Sequence, residues 1–445
     1  MAGGEKSMNH RHRLARSVLV LALLLAFIMP APASASTRYI VRDRLGLLNL
    51  RTVCSLLGCN VLYGIGDPLG QLFVINTPDS LNQVLFLARI LLLPGIVSIE
   101  PDRNLKVAAA NAGAVPPALY DEQPVSYYGT TVWNGYVDQP ATQIIRLADA
   151  QKKFNVTGAG TVAIIDTGID PNHPVLKSVL VAGYDFTRNA RSGSEMGDVT
   201  QSTAAVLDGA NPAFVNQSTA AVLDQSTAAV LDDTKYAAFG HGTMVAGIVH
   251  LVAPKAKIMP LKAFRADGSG YTSDILRAVY YATKNGARVL NMSFSLSSPS
   301  PELENAIDYS TSRSVIAVAS AGNDGQQILV YPAALSNVMG VGSTTNYDTL
   351  SSFSNYGPNL VWVGAPGEGV VTTYPYGTYA AAWGTSFSTP FVSGSAALLL
   401  QLSAANESQA ADAVGHARWI SDELGHGRLD VYQAVQAWRA AIATR

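Results

Sequence analysis

Between Pro140 and Ala440 the chain alternates short apolar runs with helical stretches, and that alternation limits the folds open to it. Val162-Ala-Ile-Ile165, Ile258-Met-Pro-Leu-Lys262, Val289-Leu-Asn291 and Val315-Ile-Ala-Val-Ala319 are short apolar runs without polar alternation, polar only at the last residue of two of them. A strand with one wet face alternates polar and apolar residues; a continuous apolar run is a strand covered on both faces. Thr272 to Lys284 carries Ile275, Leu276, Val279 and Tyr280 on one helical face, with Thr272 or Ser273 to cap its start and Gly286 to end it. Strand, helix and parallel strand form a βαβ unit, so the expected fold is α/β, a mainly parallel sheet with helices on both faces.

The segment before it has another rhythm. Arg38–Arg42, Asn60–Tyr63, Gln71–Ile75 and Val97–Pro101 read as strands, and Leu45–Leu57 and Leu81–Ile90 as helices. The order β-α-β-β-α-β is that of a small ferredoxin-like α+β domain, placed at residues 36–107. Cys54 and Cys59, the only two cysteines, lie within it; a disulfide and a pair of buried thiols are both open readings. No metal set forms around them, because no further cysteine exists and no histidine is near in sequence.

Residues 1–35 have the layout of a secretory signal peptide. Lys6, Arg11, Arg13 and Arg16 precede an apolar run from Val18 to Met29, and Ala33 and Ala35 form an A-x-A site. The run is short for a membrane span, which takes about 20 apolar residues. Export is therefore expected, to an extracellular or periplasmic location, with no membrane contact once the signal is removed. Residues 108–139 change texture to Ala, Pro, Gly and Tyr without period, and read as a linker or an arm on the next domain. The remaining residues, 140–445, form one large domain. Within it the octad QSTAAVLD occurs three times, at Gln201–Asp208, Gln217–Asp224 and Gln225–Asp232. We read residues 188–238 as a repeat insertion on a surface loop, with a flap beside the functional site as the sharper alternative.

Charge narrows the partners. The formal net charge is −2 and the pI about 6.4, which gives no basic face for nucleic acid. That −2 divides into +3 for the signal, +2 for Ser36 to Val107 and −7 beyond. The small domain and the large one have opposite sign, so charge is expected to help hold them together.

Chemistry-bearing residues gather where an open α/β sheet puts them, just past the carboxyl ends of strands. Val162–Ile165 runs into Asp166-Thr-Gly168, Val289–Asn291 into Met292-Ser-Phe-Ser295, and Val315–Ala319 into Ser320-Ala-Gly-Asn323. Gly240-His241-Gly-Thr243 and Gly384-Thr-Ser386 each open a helix, and Pro390 fits a first-turn proline. A serine hydroxyl is a weak nucleophile until a base takes its proton, and histidine is that base near neutral pH. His241 is the one histidine flanked by glycine and a small threonine, and Asp166 can fix its tautomer. The developing oxyanion needs donors, for which the Ser386 N–H and the Asn323 amide are candidates.

Taken together, VAIIDTGID, GHGTMVAGIV, VLNMSFS, VASAGNDG and GTSFSTPFVSGSAALLL resemble the motifs of the subtilases, the subtilisin-like serine peptidases. The order Asp…His…Ser is the one known for subtilisin. The resemblance implies Asp166 as orienting acid, His241 as general base, Ser386 as nucleophile and Asn323 as oxyanion donor. It further implies that Gly268-Ser269-Gly270 and Ser293-Phe294-Ser295 are the backbone strands that hold an extended peptide substrate by β-augmentation. The 36–107 unit resembles the family's propeptide, a folding aid and inhibitor of its own enzyme. The implied protein is a secreted endopeptidase, made as a zymogen, monomeric, acting on proteins or peptides, and needing no cofactor for its chemistry.

Several positions depart from the family. Met244, Phe387, Ser388 and Ser295 stand where His, Met, Ala and Gly are usual. Val175 stands at a ligand position of the usual strong calcium site, and the metal-binding loop after His250 is absent, so structural calcium would need another site. Two other classes compete. A binding protein that lost its chemistry is disfavoured by the intact set of four, and a lipase by the absence of a G-x-S-x-G elbow.

Overall fold

The computed structural model describes residues 37–78, 80–107, 113–199, 219–221 and 236–444. The signal peptide expected at 1–35 lies outside the described residues, as does most of the octad region. Of the octads only Thr219–Ala221 is described, a short strand antiparallel to Thr378–Ala382. The chain divides into two compact units, Met1–Asp102 and Arg103–Arg445.

In the first unit, strands Thr37–Asp43, Asn60–Gly64, Leu72–Thr77 and Ile96–Pro101 form one antiparallel sheet. The first and third strands are central, flanked by the fourth and second, as in the expected ferredoxin-like order. Helices Leu47–Leu57 and Gln83–Ile90 close it around Val41, Leu50, Phe73, Ile75 and Ile90. The first helix ends because Gly58 takes a left-handed φ of 80°, which turns the chain so that the Gly58 and Cys59 N–H groups both reach the Cys54 carbonyl. Cys54 and Cys59 are joined as a disulfide across that turn.

The second unit is built on an eight-stranded sheet. Its order is Ala190–Arg191, Tyr184–Asp185, Lys257–Lys262, Thr161–Asp166, Val289–Met292, Ile316–Ser320, Met339–Thr344 and Val363–Pro366. All neighbours are parallel except the first pair. Alternate residues of a strand face opposite sides. Val162, Ile164, Val289, Ile316 and Val318 face one core, shared with helices His241–Val252 and Thr385–Leu402. Ile165, Leu261 and Leu290, on the other side, are equally buried. There helix Thr272–Lys284 packs on Lys257–Lys262 and helix Pro301–Thr311 on Ile316–Ser320.

Both neighbours of Thr161–Asp166 follow it in sequence: the chain builds one side of it with Tyr184–Asp185 and Lys257–Lys262, then crosses to the other side at Val289–Met292. Such a switch point opens a crevice at the carboxyl ends of its strands. Asp166 is the last residue of that central strand.

Two local expectations change. Helix Thr272–Lys284 has no side-chain cap; the Thr272 N–H instead bonds the carbonyl of Arg103, the residue before strand Asn104–Lys106. Part of the span read as an insertion at 188–238 is structural, since Glu195 is fully buried and Asp198 holds Lys262.

Residues 113–139 form an arm on the large unit. Strands Pro124–Tyr127 and Thr130–Trp133 make a hairpin, with positive φ at Tyr128 and Gly129 closing its two-residue turn. Leu119, Tyr127, Val132 and Tyr136 join the main core. The Gln139 amide, 1% exposed, bonds the Val371 backbone both ways, donating to its carbonyl at 2.8 Å and accepting from its N–H at 2.8 Å. Removing one side of a buried bond strands the other, at about 1–3 kcal/mol per group. Gln139→Ala should therefore lower stability by at least that amount, read by urea unfolding of a Ser386→Ala background that cannot digest itself.

Candidate active site

Asp166, His241 and Ser386 are brought to one buried place, 2%, 2% and 3% exposed. The Asp166 Oδ1 and His241 Nδ1 atoms are 2.7 Å apart. The same Oδ1 accepts the Thr167 N–H at 2.7 Å, which fixes the carboxylate plane. A carboxylate only accepts, so Nδ1 must carry the proton and Nε2 is left with its lone pair. That Nε2 is buried without a hydrogen-bond partner. His241 opens its helix because Gly240 turns the chain with φ 86°, where a side chain would run into the Tyr374 ring.

Ser386 lies in the first turn of helix Thr385–Leu402, and the ring of the next residue, Phe387, is 5.1 Å from the His241 ring. Its hydroxyl points to the Ser293 carbonyl at 3.3 Å rather than to Nε2. Bonds between nucleophile and base are commonly made only once substrate is bound.

Pro390 falls in the second turn of this helix, not the first. A proline there has no N–H for the carbonyl four residues back, which is that of Ser386. The structure supplies the missing donor from the residue just past strand Val289–Met292: the Ser293 hydroxyl bonds the Ser386 carbonyl at 2.8 Å. Asn291 Nδ2 donates to the Ser293 hydroxyl at 3.0 Å, and Ser393 returns to Asn291 Oδ1 at 2.8 Å. Ser293 thus holds Ser386 through both its carbonyl and its hydroxyl. Sequence reasoning named Ser293 for its backbone and missed this side-chain role and Asn291; the misplaced proline was the available signal.

The Asn323 side-chain oxygen accepts from the Thr385 N–H and hydroxyl, both at 2.9 Å. A backbone N–H can only donate, so the atom facing it is the oxygen and the amide nitrogen takes the other arm.

The other residues expected to hold substrate lie at Ser269–Tyr271 and just past Val289–Met292. Strand Ser269–Tyr271 pairs antiparallel with Asn104–Lys106 of the same unit, Ser269 opposite Lys106 and Gly270 opposite Leu105. The Val107 N–H continues the ladder to the Gly268 carbonyl at 2.9 Å. The chain's own segment therefore occupies that edge. Phe294 is buried against Phe264, and the Phe294 carbonyl takes the Ser320 hydroxyl. Ser295 is half-buried beside the Gly322 turn.

Residues 158–422 match the model of the subtilase family. The chain is 32% identical over 281 residues to a thermophilic serine proteinase of Bacillus sp. (strain AK1), covering 62% of this chain and 61% of that protein. It is 44% identical over 171 residues to subtilisin BL of Lederbergia lenta, covering 36% of this chain and 63% of that one. With thermitase of Thermoactinomyces vulgaris it shares 32% over 293 residues, 63% of this chain and 90% of the relative. The chain spans about three fifths of the length of the first two relatives. Its fold is similar to fervidolysin of Fervidobacterium pennivorans, a keratinolytic enzyme, with TM-score 0.68 and 21% identity, covering 92% of this chain and 62% of that one.

The proline and the serine make a linked pair. Ser293→Ala should cost about 1–3 kcal/mol by leaving the Ser386 carbonyl buried and unpaired. Pro390→Ala restores an N–H to the helix, so the loss should be smaller in the double variant, and a double-mutant cycle in unfolding measures the difference.

Proposed function

The chain belongs to the subtilase family, and from that we propose that it is a secreted serine endopeptidase, made as a zymogen, that hydrolyses peptide bonds through an acyl-enzyme on Ser386. The observation that carries this reading is the buried 2.7 Å bond between Asp166 and His241, which leaves Nε2 available beside the first turn of the Ser386 helix.

The proposed steps are these. Asp166 holds His241 in the tautomer protonated at Nδ1. His241 Nε2 takes the Ser386 proton as Oγ attacks the substrate carbonyl, and Asp166 stabilises the imidazolium that forms. The oxyanion lies against the Ser386 N–H, one of the first-turn donors that no helix carbonyl reaches, and the Asn323 amide nitrogen. His241 returns the proton to the leaving amine, and a water repeats the sequence to free the acid. These steps need no cofactor. A calcium ion does not fit the usual place, because Val175 is buried and apolar. The Leu251 and Val252 carbonyls, which end the His241 helix, accept instead from Tyr127 and Gln151.

The zymogen reading rests on Asn104–Lys106, which lies on Ser269–Tyr271 as an extended substrate would. The α+β unit before it serves as propeptide and inhibitor. Gly113, the next described residue after Val107, packs on Trp383, three positions before Ser386. Export rests on the signal at 1–35; among the described residues no helix is long and apolar enough to cross a membrane.

A fluorophosphonate should label Ser386 in the processed protein, and neither the Ser386→Ala variant nor the intact precursor. Label at another residue, or no casein hydrolysis after processing, would overturn the proposal. Asn323→Ala should lower kcat by about 10²–10³-fold, as loss of an oxyanion donor does. Amino-terminal sequencing of the processed protein should find its new start between Val107 and Gly113.

A further inference from the structure

We infer that Glu195 is a positioning residue for the Asp166–His241 pair, a sealed carboxyl that ties the segment carrying the acid to the helix carrying the base. The inference rests on the peptidase reading above. Glu195 is 0% exposed. Its Oε2 accepts the Thr167 hydroxyl at 3.1 Å and the Gly240 N–H at 2.8 Å, and its Oε1 bonds the Thr243 hydroxyl. Thr167 follows Asp166 directly, while Gly240 and Thr243 bracket His241. One side chain, from a third segment, thus fixes both partners of the 2.7 Å bond.

The surrounding contacts show how little slack this joint has. The Gly242 N–H bonds the Thr167 hydroxyl at 3.0 Å, and the Asp170 N–H bonds the Thr243 hydroxyl at 2.8 Å. Gly168 has φ 104°, and a side chain there would meet the Glu195 N at 2.7 Å. Lys262, fully buried, holds the Thr167 carbonyl at 2.6 Å from below and Asp198 Oδ2 at 2.6 Å. A chemically inert amide or apolar side chain would fill this space; an acid placed so close to the reacting pair also adds a charge that depends on pH.

The charged and titratable groups facing Glu195 are Asp166 on strand Thr161–Asp166, Lys262 on Lys257–Lys262, Tyr374 on Val370–Tyr374, and His241 at the head of its helix. Burial pushes the Glu195 carboxyl up to about 8, with Asp166 adding to the rise and Lys262 and the hydrogen bonds opposing it. The group therefore keeps its proton at and below neutral pH, where its Oε1–H donates to the Thr243 hydroxyl oxygen, and as pH rises past 8 it ionises and accepts from that hydroxyl instead. The added negative charge then favours the imidazolium that His241 becomes during the reaction.

The test compares processed wild type, Glu195→Gln and Glu195→Ala on a chromogenic peptide from about pH 6 to 10, alongside thermal unfolding. Glu195→Gln keeps the shape of the protonated acid. It should match wild type at the acid end and fall behind by about threefold to tenfold in kcat at the alkaline end, with KM within about twofold. Glu195→Ala frees both segments and should lose about tenfold to a hundredfold in kcat across the range. Glu195→Gln tracking wild type at every pH would overturn the inference, as would losses confined to KM or to melting temperature. Should Glu195→Ala fail to fold, the pH profile of Glu195→Gln decides alone. A wild type that takes no fluorophosphonate label would sink the peptidase reading itself, and this inference with it.

Discussion

The bond from His241 to Asp166 joins residues 75 positions apart and excludes water from both. Its geometry makes demands on the whole large unit. Asp166 must end the central strand at the switch point, so the chain must cross over it from Lys257–Lys262 to Val289–Met292. His241 must open a helix, so Gly240 must take a conformation that a side chain would not tolerate. Helix His241–Val252 must then pack against Thr385–Leu402 to bring Ser386 near, which the shared core does. A small displacement of any one of these elements would be felt at the reacting atoms, because packed interiors have little room to give.

Much of the frame could be read from the chain. Val162–Ile165 and Val315–Ala319 announce themselves because strands covered on both faces have no polar positions to break the apolar run. Asp166 and Asn323 were legible because a parallel sheet sends its strand ends to one crevice, and His241 and Ser386 because glycine marks the turn into each helix. The subtilase motifs then named the roles.

The unread parts share a physical cause. Glu195 sits in a span whose repeats and polarity look like a surface loop, and its partners belong to two distant segments. A burial made by such non-local contacts leaves no local period. The bond from Ser293 to the Ser386 carbonyl was hidden in the same way, since a helical proline shows only that some carbonyl needs a donor, not which segment provides it. The arm at 113–139 looked aperiodic because a hairpin of four-residue strands, held by Tyr127, Tyr136 and Gln139, is too short to show alternation.

The pairing of Asn104–Lys106 with Ser269–Tyr271 has a kinetic meaning. A ligand on the same chain as its site is present at an effective concentration of the order of millimolar, whatever the dilution. On the proposed reading, peptides at micromolar levels therefore compete in the uncut protein against a local excess of about a thousandfold. Dilution relieves none of it, while scission turns the same strand into an ordinary solute that dilution removes. On the proposed reading, the protein can be made and exported at any expression level without digesting its surroundings. On that reading the moment of activation is set by a covalent event, followed by the escape of a strand into a larger volume.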